Sequence, residues 1–161
     1  MGIVTPKLRS IDEFFVEVIR ILNEEIQMTL AYTCEEAVGK IRDRSSDESW
    51  KDDTGNLRSS IGYGIYEYGR TVLESAFPVV KEGTEGAAKG REAVNDLAGL
   101  YSKAYSAVVI AAMSYAQYVE AKKNKDVLGN TYIWAKSVIE QRLQRAVEEA
   151  ELRVQSLNIT L

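Results

Sequence analysis

Residues 53–65 read Asp-Thr-Gly-Asn-Leu-Arg-Ser-Ser-Ile-Gly-Tyr-Gly-Ile, and their pattern decides the fold class. Gly55 and Asn56 favour a tight turn, because glycine and asparagine adopt positive φ more readily than other residues. After the turn the hydrophobic period becomes two, which predicts a strand. One face would carry Leu57, Ile61, Tyr63 and Ile65, and the other Arg58, Ser60, Gly62 and Gly64. Residues 68–70 can turn the chain, so residues 71–80 are expected to complete a β-hairpin.

Long helical patterns flank this hairpin. Apolar residues recur at helical spacing from Ile11 to Ile41, and Ser10 with Glu13 forms a capping box at the start. A helix of this length, about 45 Å at 1.5 Å per residue, outruns the core of a small domain, so part of its apolar stripe is expected to pack on another molecule. A second long stripe, residues 132–157, predicts a C-terminal helix.

Between the hairpin and the last helix, residues 91–103 predict a helix, and the apolar run 106–114 suits a central strand buried on both faces. The order of elements predicts an α+β fold. It comprises a long N-terminal helix, a β-hairpin plus a central strand forming a small antiparallel sheet, and a long C-terminal helix. The 161 residues are expected to form a single domain, 1–161, with residues 1–10 as an N-terminal arm and 44–54 and 81–90 as exposed loops.

Composition narrows the chemistry. The chain has no histidine, which removes the commonest general base and metal ligand. The glycines of 83–90 lack the Gly-Lys-Ser/Thr ending of a phosphate loop, and Cys34 sits in an apolar helical pattern typical of an inert core thiol. We therefore expect no catalytic residue, no metal ligand and no cofactor. No apolar run approaches the ~20 residues that cross a bilayer, and residues 1–9 lack a secretory signal. We therefore expect the protein to be made in the cytoplasm and not to associate with a membrane.

The polar segment 44–54 contains one large aromatic residue, Trp50. Tryptophan is favoured at interface hot spots, so Trp50, with Asp52 and Asp53 beside it, is a candidate interface that would be mobile in the free protein and ordered on assembly. The alternative is that Trp50 folds back beside the hairpin. The carboxylates of this segment, which also include Asp47 and Glu48, lack the spacing of a calcium loop, so a solvated acidic loop is the favoured interpretation.

Two short boxes carry a family resemblance. The first box, Thr54-Gly55-Asn56-Leu57-Arg58-Ser59-Ser60-Ile61, resembles the Thr-Gly-Asn-Leu-Arg-x-Ser-Ile box of the tail-completion, or head–tail joining (neck), proteins of siphophages. The second box, Tyr115-Ala116-Gln117-Tyr118-Val119-Glu120, resembles that family's Tyr-Ala-x-Tyr-Val-Glu box. The spacing of Tyr115 and Tyr118 places both rings on one face of a helical turn, where they are expected to clamp it against the sheet.

The resemblance implies a structural virion protein at the phage neck or upper tail, made in the bacterial host cytoplasm. It would join head to tail or terminate the tail tube as a subunit of a homo-oligomeric ring such as a hexamer. Its partners would be itself and other neck or tail proteins, and DNA would only pass it as cargo, in keeping with a net charge of −4. The alternatives are a minor tail structural protein, a small non-viral helical protein-binding module and, least favoured, a histidine-free enzyme.

Overall fold

The structure, a computed structural model, describes residues 7–8, 10–45, 49–122 and 126–159. In chain order its elements are β1 (Lys7–Leu8), α1 (Ile11–Arg42), α2 (Asn56–Ser59), β2 (Ile61–Glu67), β3 (Arg70–Glu74), α3 (Thr84–Leu97), a 3₁₀ turn (Ala98–Leu100), β4 (Tyr105–Ala111), α4 (Ala116–Ala121), α5 (Gly129–Gln155) and β5 (Asn158–Ile159). The predicted α+β class is confirmed, with a three-stranded antiparallel sheet and long helices near both ends. None of the described helices is both long and apolar enough to cross a membrane.

Contacts divide the chain into two compact units, although the sequence predicted one domain over 1–161. The first unit comprises Met1–Thr29 with Ile139–Leu161, and the second comprises Leu30–Val138, so the divisions fall inside α1 and α5. Each unit is described by itself.

The first unit pairs the beginning of α1 with the end of α5. Arg153 of α5 donates hydrogen bonds to Glu24 and Glu25 of α1 at 2.8 and 2.6 Å. Ser10 caps α1 as predicted, since its Oγ accepts the backbone N–H of Glu13 at 3.1 Å. Several large apolar side chains of α1 are more than half exposed, namely Ile11, Phe15, Val16, Ile19 and Met28. Within this unit, the apolar stripe of α1 is therefore only partly covered.

The second unit is built around β2. The strand order is β3-β2-β4, and every residue of β2 from Ile61 to Tyr66 is buried. β2 is therefore the central strand, whereas β4 lies at an edge of the sheet. The predicted central strand over 106–114 is wrong on this point, because the apolar run of β4 is only half-buried along most of its length.

Helices cover β2 on both faces. On one face, the Tyr66 hydroxyl donates to the Val94 carbonyl of α3 at 2.9 Å, within a core that also contains Phe77 and Ala87. On the other face, the Tyr63 hydroxyl donates to Glu35 Oε1 of α1 at 2.8 Å. Gly62 is closely packed, because a Cβ there would lie 2.3 Å from the Phe77 ring. The alternation of large residues and glycine in β2 thus reflects close packing on both faces of the strand, neither of which is exposed to solvent.

Two other local predictions need correction. Residues 81–90 are not an exposed loop, because α3 begins at Thr84 and its Gly86, Ala87 and Gly90 are buried. A Cβ on Gly90 would lie 2.3 Å from the Phe77 ring, so the glycine content reflects close approach and not flexibility. The second hairpin strand, expected over 71–80, ends at Glu74. Beyond it, Phe77 with φ 48° turns its ring into the core between the sheet and α3.

Candidate functional site

The first box opens with a tight turn, as predicted. Gly55 has φ 83°, and its N–H donates to Asp52 Oδ1 at 3.1 Å. A Cβ at this position would lie 1.9 Å from the Val80 carbonyl oxygen, so no side chain fits. The Thr54 hydroxyl accepts the N–H of Asn56 at 3.3 Å, which completes the turn.

The chain then forms the short helix α2, and the strand predicted to start at Leu57 begins only at Ile61. Leu57 and Ile61 are both fully buried. The Asn56 side chain fastens α2 to α3, because its Oδ1 accepts the N–H of Gly86 at 3.1 Å. A Cβ on Gly86 would lie 1.9 Å from the Asn56 carbonyl oxygen, so the two segments meet backbone to backbone.

The two serines of the first box act on the backbone. Ser59 Oγ accepts the N–H of Val80 at 2.8 Å, and Ser60 Oγ donates to the Leu57 carbonyl at 2.8 Å. Both serines are fully buried. Ser60, predicted on the same strand face as Arg58, precedes the strand and satisfies a backbone carbonyl inside the fold. Ser59, which the sequence marked only as a variable position of the box, supplies one of its structural bonds.

The candidate interface is only partly a surface. Trp50 is 4% exposed, and the Arg58 guanidinium lies 5.2 Å from the centre of its ring. Asp52, with its side chain 8% exposed, accepts a hydrogen bond from Arg58 Nε at 3.3 Å. Asp53 alone is exposed, at 76%, and lies 3.4 Å from the Lys51 ammonium. Asp47 and Glu48 lie outside the described residues.

Trp50 therefore belongs to the second unit's own interior, and the exposed-loop prediction for 44–54 is wrong around it. The physical reason is a set of bonds to a distant segment. Arg44 forms an ion pair with Asp126 at 2.5 Å and donates to the Thr131 hydroxyl at 2.5 Å. Ser49 Oγ donates to the Asp126 carbonyl at 2.9 Å. These contacts hold Arg44 and Ser49 against residues 126–131, and no local pattern in the sequence predicts them.

The second box forms α4 and the residue before it. Its Glu120 carboxylate accepts the backbone N–H groups of Val127, Leu128 and Gly129 at 2.6, 2.8 and 3.0 Å, which satisfies amides at the start of α5. Ala116 is buried against the unit. The predicted tyrosine clamp is wrong: Tyr118 is 65% exposed, with the Lys122 ammonium 4.4 Å from its ring centre, and Tyr115 is also exposed.

The two boxes, about sixty residues apart in sequence, meet at one small cleft of about 240 Å³. Its walls include Thr54 and Leu57 from the first box, Tyr115 and Val119 from the second, and residues 50–53. Partial burial raises the pKa of the Tyr115 phenol, and the charges of Asp52 and Glu85 raise it further, while a hydrogen bond with the Leu57 backbone opposes the rise. A backbone hydrogen bond of 3.3 Å from the Ala112 N–H to the Ser60 carbonyl joins the end of β4 to the start of β2.

The Asp52 carboxylate beside the cleft is already hydrogen-bonded to its neighbours. Both oxygens of Asp52 accept hydrogen bonds, from Gly55 and from Arg58. The Trp50 Nε1 atom is buried and, within the part of the chain that the structure describes, has no hydrogen-bond partner. Over those same residues no group of three or more metal-ligating side chains occurs. The arrangement braces the fold and leaves a small recess bordered by Tyr115 and Asp53 at the surface.

No protein-family model, curated protein or solved structure matches the chain. The resemblance to phage neck proteins therefore rests on the sequence of residues 54–61 and 115–120 alone.

Proposed function

We propose that this chain is a structural subunit of a tailed-phage virion, at the neck or upper tail, where it joins head to tail or terminates the tail tube as a ring subunit. The observation that carries the proposal is the meeting of the two boxes at one cleft. The β2–β4 register places Ile61, the last residue of the first box, opposite Ala111, four residues before the second box, so the two boxes belong to one arrangement of the sheet.

Three residues of the two boxes make contacts that hold the fold together. Gly55 permits a contact that no other residue fits, Asn56 fastens α2 to α3, and Glu120 caps α5. Each task concerns the backbone, so each requires a particular residue type at a particular position. This supports a shared architecture as the source of the resemblance, with function residing in assembly.

An exposed apolar row on α1 supports a role in assembly. Ile11, Phe15 and Ile19 recur every four residues and are each 58–59% exposed. Residues at this spacing lie on one side of a helix, and rows of exposed apolar side chains mark protein–protein contacts. We assign this row to the contact between ring subunits or to a neighbouring virion protein. DNA would pass the ring without being gripped, because the net charge is −4.

Deletion of the gene in the phage that carries it tests the proposal. We expect filled heads and unattached or unterminated tails, seen by electron microscopy, with infectivity restored by the wild-type protein supplied in trans. A Gly39→Ala variant should also restore infectivity, because a Cβ there meets nothing within 4 Å. Normal joined virions after deletion, or a gene that lies outside any phage or prophage, would overturn the proposal.

The second candidate, a helical protein-binding module without a viral role, is favoured by the same exposed row. Native mass spectrometry separates the two. A closed ring, formed alone or on a neck or tail protein and lost in a Phe15→Ser/Ile19→Ser double variant, supports the virion subunit. A monomer that stays monomeric with every neck and tail protein supports the module.

A further inference from the structure

The two edges of the sheet in the second unit differ in how well they are protected. β3 is five residues long, carries Arg70 and Glu74 at its ends, and pairs with β2 across an irregular register between Ile65 and Tyr66. Short length, end charges and a bulge all discourage pairing with another strand. β4 has none of these features. Its seven residues contain no charge and no proline, and its register with β2 runs without interruption.

The hydrogen bonds that flank β4 show which of its backbone groups face outward. Ala112 N–H bonds to the Ser60 carbonyl, and Tyr68 N–H bonds to the Ala104 carbonyl. Because antiparallel pairing alternates and the register is regular, the even-numbered residues from 104 to 112 direct their backbone groups to β2. The N–H and C=O groups of Ala107, Val109 and Ala111 therefore point away from the sheet.

These outward groups have no hydrogen-bond partner among the residues that the structure describes. Ala107 is exposed, and Val109 and Ala111 are half-buried, in contrast to the fully buried residues of β2. The edge therefore presents a row of backbone donors and acceptors beside small and β-branched side chains. A row of this kind recruits an extended strand by β-augmentation.

We infer that the occupant of this edge is β4 of a second copy, paired antiparallel about Val108. In that register Ala107 of each copy lies opposite Val109 of the other, and both residues of each pair direct their N–H and C=O groups across the contact. The three-stranded sheets of the two copies become one continuous sheet. The absence of charge in β4 lets two copies of net charge −4 meet here without like-charge pairs across the strands.

A two-fold contact between two β4 strands is preferred to a head-to-tail contact between β4 and β3, because β3 is poorly suited to pairing with another strand. A head-to-tail pairing would place β4 of one copy against the short, charged and irregular β3 of the next. The β4 contact also involves none of the exposed row of α1, so it stands or fails separately from the proposed ring.

Proline at position 109 is the selective test. It removes the outward N–H of Val109 and leaves the bonds to β2 in place, a position at which edge strands accept proline. Val109→Thr keeps the N–H and the branched shape and serves as the control. Both variants are made in the Phe15→Ser/Ile19→Ser background, which removes the proposed ring contact. In that background we expect sedimentation velocity to show a dimer with Val109 and with Val109→Thr, and a dimerisation Kd at least roughly tenfold higher with Val109→Pro.

Hydrogen exchange of the wild-type protein keeps the inference testable even if Val109→Pro fails to fold. The amides of Ala107, Val109 and Ala111 should exchange fast in dilute protein and slow down as concentration rises through the dimerisation range. A wild type that remains monomeric at about 100 μM, a dimer in which these amides stay fast, or protection that appears only when a different protein is added would each overturn the inference.

Discussion

Glu120 Oε2 accepts the backbone N–H of Val127 at 2.6 Å, across a gap of seven residues. The same carboxylate also accepts the N–H groups of Leu128 and Gly129. Amides at a helix start lack intrahelical partners and favour negative charge, so one side chain of α4 both satisfies and electrostatically stabilises the beginning of α5.

Replacing Glu120 with Ala should lower the free energy of unfolding by about 1–3 kcal/mol, because it leaves three partly buried amides without their acceptor. Glu120→Gln should cost less, since it keeps one carbonyl oxygen but loses the charge. Urea titration followed by circular dichroism measures both. The exposed Glu149 on α5 provides a matched control, whose alanine variant should match the wild type. Equal stability of Glu120→Ala and Glu149→Ala would contradict the capping role.

Gly55→Val should damage folding more than any other substitution considered. It places a β-branched side chain at φ 83° and directs its Cβ into the Val80 carbonyl, so we expect a loss above about 3 kcal/mol or failure to fold. Ser59→Ala should cost about 1–3 kcal/mol, because the Val80 N–H loses its buried acceptor. Gly39→Ala should instead stabilise α1 by roughly 0.5–1 kcal/mol. Thermal midpoints in a different order would show that the turn assignment is wrong.

Trp50 allows packing and hydrogen bonding to be separated. Trp50→Ala removes a large buried ring and the surface on which Arg58 rests, so a loss of about 3–5 kcal/mol is expected. Trp50→Phe should cost much less, because the Nε1 atom it deletes has no partner among the described residues. Urea denaturation followed by far-ultraviolet circular dichroism measures the free energy of unfolding of both variants. If both variants lost the same stability, the indole N–H would have to be bonded.

Cys34 should be unreactive in the folded protein. Burial raises the pKa of its thiol to about 12, and the Glu35 charge adds to the rise, so little thiolate forms at pH 8. A thiol reagent such as Ellman's should therefore react in urea but not with the native chain. Fast reaction of the native chain would contradict the burial of Cys34.

The same thiol predicts a pH dependence of stability. Because the folded pKa lies above the unfolded one, the stabilisation is complete below about pH 9 and declines as pH rises toward 12. Cys34→Ala should show a shallower decline over that range. Part of the decline should persist, because burial also raises the pKa of Tyr63 and Tyr66.

The features that the sequence predicted well are local ones. The apolar period of α1 and the Ser10 cap placed that helix within one residue at its C-terminal end, because both signals arise within a few turns of the helix itself. The positive φ of Gly55 followed from residue type in the same way. Within the first box, Gly55, Asn56 and Ser60 each take part in a contact with backbone groups.

The features it missed depend on residues far apart in the chain. Trp50 looked exposed because its neighbours are polar, yet Arg44 and Ser49 bind the segment to residues some eighty positions away. β4 looked central because it is apolar, whereas the strand covered on both faces is β2, whose glycines give it low hydrophobicity. Periodicity records how often apolar residues recur and carries no information on whether a glycine faces water or an aromatic ring.

The Phe77 ring lies against two glycines at once. A Cβ at Gly62 and a Cβ at Gly90 would each lie 2.3 Å from it, one on the central strand and the other on the helix that covers it. Positions 62, 77 and 90 are therefore expected to vary together as this protein diverges. A descendant that keeps phenylalanine must keep both glycines, and one that shortens residue 77 is free to fill either gap with alanine. Correlated substitutions at these three positions would identify relatives of this fold whose overall sequence identity is too low to detect.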